Sequence, residues 1–369
     1  MRQEHTTGDE TVVRAVAERV AAEEGVRGLF VLVGAAAPAG VEALAPDQWS
    51  VDVPVVGGVF PEVIRAGERT DTATVVVGLP VAPEIQTVTG LSDETAEIRS
   101  QLDPTVPERG HETAFVLVDS HADRVGAFVD RLFDTYGVEV TFVGGGAGPL
   151  SEPDGPSLFT GAGPVTDGAV VAATPLSSSV GVHHGWQEIA GPFRVTESDG
   201  RTVRTLDSEP AFERYCEVVA DDAGQTPTRE EFFETAKAYP FGISRVGAET
   251  VVRDPYAVGD DGSVDCFGSV PEGEFVHVLH GEPDRLVAAA RQARDDASDG
   301  AGDDDTLWFF DCISRVLFLE DDFSRELAAI GDDGEPPVGA LTVGEIANDG
   351  HGHLEYYNKT AVVASVDES

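Results

Sequence analysis

Phe115-Val116-Leu117-Val118, then Ser120 to Tyr136, then Phe142-Val143-Gly144-Gly145 is the stretch on which the fold turns. The first run is short, apolar and β-branched, the pattern of a buried strand. After Ser120 the period changes. Val125, Phe128, Val129 and Leu132 form one apolar stripe at helical spacing, Asp123 stands three residues after Ser120 as a capping-box acid, and Gly137 supplies the stop. Val140-Thr141-Phe142-Val143 is strand again, so the helix links two strands of one sheet.

An earlier segment has the same texture, from Phe30-Val31-Leu32-Val33 to Val55-Val56-Gly57-Gly58, with Gly57-Gly58 read as a strand-ending turn. Either an internal duplication or the pattern common to any βαβ unit accounts for this. Thr74 to Val77 adds a strand. From Gly161 to Leu206 strands are closely spaced with little helix between them, as in an antiparallel layer, and Ser198-Asp199-Gly200 fits a hairpin turn. A helix opens after Pro210 with the stripe Ala211, Tyr215 and Val218. The acid-, Gly- and Pro-rich stretch Asp221 to Thr228 is the expected boundary. Beyond it the alternation resumes: strand Phe275 to Leu279, helix Pro283 to Arg294, strand Leu307 to Phe310, and closing strands at 338–343, 353–357 and 361–366. The expected fold class is α/β or α+β, mixed β-sheets with packed helices in two tandem subdomains, 28–220 and 221–366.

The chain has 369 residues and a formal net charge of -43, with pI near 4.2. Lysine occurs only at Lys237 and Lys359, and acids crowd turns such as Asp303-Asp304-Asp305 and Glu320-Asp321-Asp322. In dilute buffer this surface repels itself, whereas molar salt shortens the Debye length to about 3 Å. The composition therefore points to a protein of a very salty cytoplasm. It also disfavours nucleic acid, whose phosphates need clustered cations. Cys216, Cys266 and Cys312 are scattered, with no CxxC pair, which suits a reducing compartment. Residues 1–9 are polar, and no run approaches about 18 apolar residues, so neither secretion nor membrane insertion is expected.

Phosphate cradles are poorly supported. Gly144 to Gly148 leads into Pro149 rather than a helix, and in Gly339 to Gly344 a carboxylate, Glu345, follows where a P-loop has lysine. His183-His184 should point to opposite sides of a strand, and His351-Gly352-His353 lacks carboxylate partners, so neither metal nor cofactor is expected. The most suggestive constellation is Cys312, Arg315, Glu345, Asn358, Lys359 and Thr360. Arg315 could take a ligand carboxylate by two parallel hydrogen bonds and Glu345 an ammonium, making an amino-acid-like pocket. The plainer alternative pairs Arg315 with Glu345 as a structural bridge. An enzyme using Cys312, or Glu345 with a histidine, and a scaffold without ligand are the other readings.

Two sets of motifs go further. His184-Gly185-Trp186, Gly191-Pro192-Phe193, Asp199-Gly200, Leu206-Asp207 and Pro210-Ala211 with Tyr215 resemble the end of a FIST N domain. Tyr239-Pro240-Phe241-Gly242, Val252-Arg253, Phe310-Asp311-Cys312 with Arg315, Gly344-Glu345-Ile346 and Tyr357-Asn358-Lys359-Thr360 resemble a FIST C domain. The resemblance, of haloarchaeal type, implies an intracellular sensory module for a small ligand such as an amino acid. The candidate ligand-binding residues are Arg315, Glu345, Asn358, Cys312 and Thr360 of that constellation, with Arg253 of the second motif set, and the expected output is a separate signalling protein. Asp311 and Glu320-Asp321 depart from the small residues usual at those places.

Overall fold

A computed structural model describes residues 1–39, 49–151, 155–245, 249–299, 302, 305–331, 336–348 and 352–368. The chain first lays down β1 (Arg2–Thr6), α1 (Glu10–Ala21), β2 (Gly28–Gly34), β3 (Val55–Phe60), a hairpin of β4 (Glu62–Arg65) and β5 (Glu68–Thr70), and β6 (Thr74–Leu79). Within this unit the strand order is β1-β6-β2-β3, with only β2 and β3 parallel. The second unit repeats the plan: β7 (Glu84–Thr89), β8 (Thr113–Asp119), α2 (Val125–Tyr136), β9 (Thr141–Ala147), a hairpin of β10 (Leu158–Thr160) and β11 (Gly163–Val165), then β12 (Gly168–Thr174), ordered β7-β12-β8-β9.

The third unit opens with β13 (Ser178–His183) and then takes a detour: β14 (Gln187–Asp199), β15 (Thr202–Leu206), β16 (Glu209–Pro210), α3 (Ala211–Ala223), α4 (Phe232–Ala236), β17 (Phe241–Ile243), β18 (Val251–Val258), β19 (Val264–Phe267) and β20 (Phe275–His280). It resumes with α5 (Pro283–Ser298), β21 (Thr306–Cys312), α6 (Ile313–Leu319), α7 (Phe323–Gly331), β22 (Val338–Thr342), a hairpin of β23 (Glu345–Ala347) and β24 (Glu355–Tyr357), and β25 (Ala361–Val366), ordered β13-β25-β21-β22.

Each hairpin leaves its own unit. β4–β5 pairs onto β22 of the third, β10–β11 onto β3 of the first, and β23–β24 onto β9 of the second, making each sheet six-stranded. The exchange is cyclic, so the sheets are related by an approximate threefold axis.

That symmetry is visible residue by residue. Val31 faces Gly57, Val116 faces Gly144 and Phe309 faces Gly339 across the three parallel pairs. At each glycine a β-carbon would fall onto the facing residue's carbonyl oxygen, so the close approach admits no side chain. One residue earlier stand Phe30, Phe115 and Trp308, all fully buried, with ring centroids 5.3, 5.1 and 4.8 Å apart in a closed triangle. The inner faces of the sheets meet around these rings in one core. The outer faces are covered separately: α1 with Val13, Val16 and Val20 on the first, α2 with Phe128, Val129 and Leu132 on the second, and α5 to α7 with Leu286, Ala290, Leu327 and Ile330 on the third. Strands buried on both faces read as continuous apolar runs, which is why β2, β8 and β12 have no exposed residue. The section is a triangular prism, and the strand plan noted twice in the sequence occurs a third time.

The detour closes on itself. β14 pairs with β20 along Gln187–Arg194 and with β15 along Val195–Asp199, its register shifts marking bulges that bend it from one neighbour to the other. β15–β19, β19–β18, β18–β17 and β17–β20 complete a closed antiparallel barrel, with the short β16 added on β15. The layer expected from 161–206 thus splits between the prism and this barrel.

Other local expectations are corrected. Gly57-Gly58 lies inside β3 rather than ending a strand. Helix α2 begins at Val125 without a side-chain cap, because Asp119 rather than Ser120 holds the preceding turn by accepting the His121 N–H, and Asp123 pairs with Arg201. Glu345 lies on a short strand, β23, that had no pattern of its own. Asp303, Asp304 and His351 lie outside the described residues. Among the described residues no helix is long and apolar enough to cross a membrane.

The shared glycine gives a direct test by chemical denaturation. Gly339→Ala should lower stability by about 3 kcal/mol or more through overpacking against Phe309. Gly126→Ala, in α2 where a β-carbon meets nothing within 4 Å, should raise it by about 0.5 kcal/mol.

Candidate functional site

Charged side chains collect where the barrel meets the second and third sheets. Helix α6 starts at Cys312 and turns Arg315 into the interior, fully buried. Its Nε and Nη2 donate to the Glu326 carboxylate, both at 2.9 Å, and Nε also lies 3.1 Å from Asp311 Oδ1. Nη1 donates to the carbonyls of His184 (2.6 Å) and Lys359 (3.2 Å), and Nη2 to that of Leu286 (3.0 Å). All five guanidinium N–H groups are thereby engaged. Burial, then the charge of Glu326, holds the Asp311 carboxyl well above its usual range. The structural bridge of Arg315 is therefore with Glu326 and Asp311, not with Glu345.

Glu345 has another environment. Fully buried, it accepts hydrogen bonds from Thr342 Oγ1 at 2.8 Å and the Thr360 N–H at 3.3 Å, and it bonds with the Cys312 thiol. Burial pushes its carboxyl up to about 8. Burial and then the Glu345 charge raise the Cys312 thiol, although backbone N–H groups of Lys359 and Ser314 point at its sulfur. Cys312 is thus a protonated thiol at neutral pH, without the thiolate character of a reactive cysteine.

Lys359, in a left-handed conformation with φ 53°, sends its ammonium to Asp254 at 3.2 Å, to the Lys237 carbonyl at 3.1 Å and over the Trp186 ring at 4.9 Å. Trp186 Nε1 donates back to the Lys359 carbonyl at 3.1 Å. Next along β18, Arg253 donates from Nε to the Ser269 carbonyl (2.8 Å) and from Nη1 to those of Val252 (3.0 Å) and Tyr356 (2.9 Å). Thr360 Oγ1 donates to the Asn358 carbonyl at 2.8 Å, while the buried Asn358 Oδ1 has no hydrogen-bond partner.

Arg253, Cys312, Glu345, Asn358 and Thr360 therefore lie along one connected seam, with Arg315 behind it. Asp254, Lys359 and Glu326 belong to it too. Lys359 had a signal, as one of two lysines in the chain. So had Glu326: it shares the helix face of Phe323, Leu327 and Ile330, where a carboxylate among apolar residues marks a buried partner. Asp254 had none. A separate open depression of about 390 Å³, lined by Arg69, Glu320 and Ser324 among others, lies between the β4–β5 hairpin and α7.

The adjacent histidines converge rather than diverge, because the chain turns just after β13. His183 Nδ1 and His184 Nε2 lie 3.7 and 3.3 Å from the Glu249 carboxylate, and His183 Nε2 is 2.7 Å from Asp296. His184 Nδ1 accepts the Trp186 N–H at 2.8 Å, and burial lowers the imidazole to about 4, so it is neutral. His353 packs on Phe133 with centroids 4.0 Å apart. Among the described residues no three His, Cys, Asp or Glu side chains are grouped to hold a metal ion.

Two family models match the chain, the FIST N domain over residues 29–209 and the FIST C domain over residues 211–348. No curated protein matches it.

Glu345 makes the seam pH-sensitive. Below about pH 4.5, its ordinary value, the carboxyl is protonated folded and unfolded; between 4.5 and about 8 only the folded chain keeps the proton. Its contribution therefore falls as pH rises through that window, by at most about 1.4 kcal/mol per unit, and levels off above it. Glu345→Gln should remove that slope and be the more stable protein at pH 8, as measured by urea unfolding across pH.

Proposed function

Because the chain belongs to the FIST family, whose domains are sensory modules that bind small ligands, we propose that it senses a small polar ligand at the seam between barrel and prism. The observation that carries this reading is the meeting of Arg253, from the barrel, with Asn358, from the link between the second and third sheets, beside an amide oxygen that has no partner. A ligand bridging the two ties the barrel to the prism, and this is the state change a partner would read.

The amino-acid-like pocket takes a different form here. With every Arg315 donor engaged internally, that residue sets the positions of β13, α5 and the Lys359 carbonyl, and Arg253 faces the ligand. Cys312, Glu345 and Thr360 fix the backbone that presents Asn358. Output passes to a separate signalling protein. The charge of -43 suits an intracellular, cytoplasmic setting of concentrated salt.

Hydrogen exchange in molar KCl, against amino acids, organic acids and neutral polar compounds, tests the reading. At least one compound is expected to slow exchange in β18 and in residues 355–361; no protection by any compound would count against a ligand site here. The salt inference has its own check, since the melting temperature should climb steadily from 0.1 to 3 M KCl. A flat profile would remove it.

A further inference from the structure

We propose that His183 is a proton-operated latch between prism and barrel: charged, it ties Asp296 of α5 to Glu249 of the barrel, and neutral, it lets Glu249 go. The latch goes beyond the ligand reading and does not depend on it. His183 is the last residue of β13, and the chain passes from it through Gly185, φ 81°, into β14 of the barrel. It stands at one of the two places where the inserted barrel joins the prism, the other being the passage from β20 to α5.

Packing fixes one wall. Helix α5 crosses β13 so closely at Gly181 that a β-carbon there would meet the Ala293 carbonyl. His183 lies two residues on, on the same face of the strand, and Asp296 lies three residues on, on the same face of the helix. Asp296 is thereby set over His183, with Oδ2 2.7 Å from Nε2, while Gln292 Nε2 donates to Asp296 Oδ1 at 2.6 Å. The barrel supplies the other wall. Glu249, just before β18, has one carboxylate oxygen 3.7 Å from His183 Nδ1; the other accepts the His184 N–H at 3.2 Å and lies 3.3 Å from His184 Nε2.

An imidazole between two carboxylates has two states. As a cation it offers an N–H to each. Neutral, with its one hydrogen on the shorter contact to Asp296, it turns a lone pair toward Glu249. The other groups around it do not titrate with it. His184 is already neutral, burial holding it down to about 4; Arg315 of α6, whose charge reaches His184, is engaged by Glu326 and Asp311; and β25 brings Ala361 opposite His183. His183 itself is 28% exposed, so solvent can supply and remove the proton.

The direction follows from the acids. Glu249 raises the His183 imidazole above its ordinary 6.5 against the cost of burial, with Asp296 adding to it. Burial raises both acids, and His183 outweighs it, so that each is held below its ordinary value and stays charged through the window. A raised histidine stabilises the folded chain fully below 6.5 and loses that contribution as pH climbs through its folded midpoint. The latch therefore opens on the alkaline side.

NMR titration of His183 in the full-length chain in molar KCl tests this, together with exchange of the His184 N–H, which Glu249 accepts, and of β8 amides as reference. The His183 midpoint is expected above 6.5. Across it, His184 protection should fall about fivefold after correction for intrinsic exchange, the worth of one partly exposed ion pair, while β8 stays constant. His183→Gln should lack the transition and show the lower protection at every pH, and Asp296→Asn should move the midpoint down. Glu345→Gln removes the other titration in this range and should leave the response intact. A midpoint at or below 6.5, His184 protection that ignores it, or a response that survives in His183→Gln overturns the latch.

Discussion

Phe30, Phe115 and Trp308 must reach one point in space from three distant places in the chain, and the prism exists because they do. Each ring is delivered by the first strand of a parallel pair, and each pair approaches closely because its second strand carries glycine. Edge-on and tilted ring contacts add about 0.5–1.5 kcal/mol per pair beyond the burial of the rings. Their larger effect is geometric. With the rings in contact, three inner faces close into one core, and the outer faces are left for helices to cover independently.

The seam obeys a different rule. The barrel is inserted at one corner of the prism, so its strands meet backbone that turns rather than runs straight: the chain after β13, the start of α6 and the link from β24 to β25. Turning backbone leaves carbonyls unpaired, and arginine and lysine answer some of them, Arg315 those of His184 and Lys359, Arg253 that of Ser269 and Lys359 that of Lys237. Once those cations are buried they need carboxylates of their own, and Asp254 and Glu326 follow. The polar cluster is thus forced by topology.

Most elements were legible because their periods were clean: β2, β8 and β21 as apolar runs, α2 and α5 as stripes, Gly137 as a stop with φ 66°. The arrangement was not, since pairings such as β4 with β22 and β13 with β25 join residues far apart in the chain and leave no local trace. Repetition offered a partial signal. Gly57 and Gly144 could be matched, but Gly339 sits after a longer helical excursion and the barrel insertion hides its unit. In the seam, residue type located the participants and partner choice escaped: Glu345 looked like an ion-pair acid from its position, yet it keeps its proton, because the nearest guanidinium is saturated by Glu326 and Asp311.

The hairpin exchange has a consequence for the order in which the protein can be made. As the chain leaves the ribosome, β4–β5 has no sheet to join until β22 is synthesised, and β13 waits for β25. The first two units can approach each other early, through β10–β11 on β3, but the third face of the prism and its tryptophan arrive last. Nascent intermediates therefore expose apolar strand faces for most of translation, a state prone to aggregation. The dense acid along the chain is suited to keeping those half-built molecules apart.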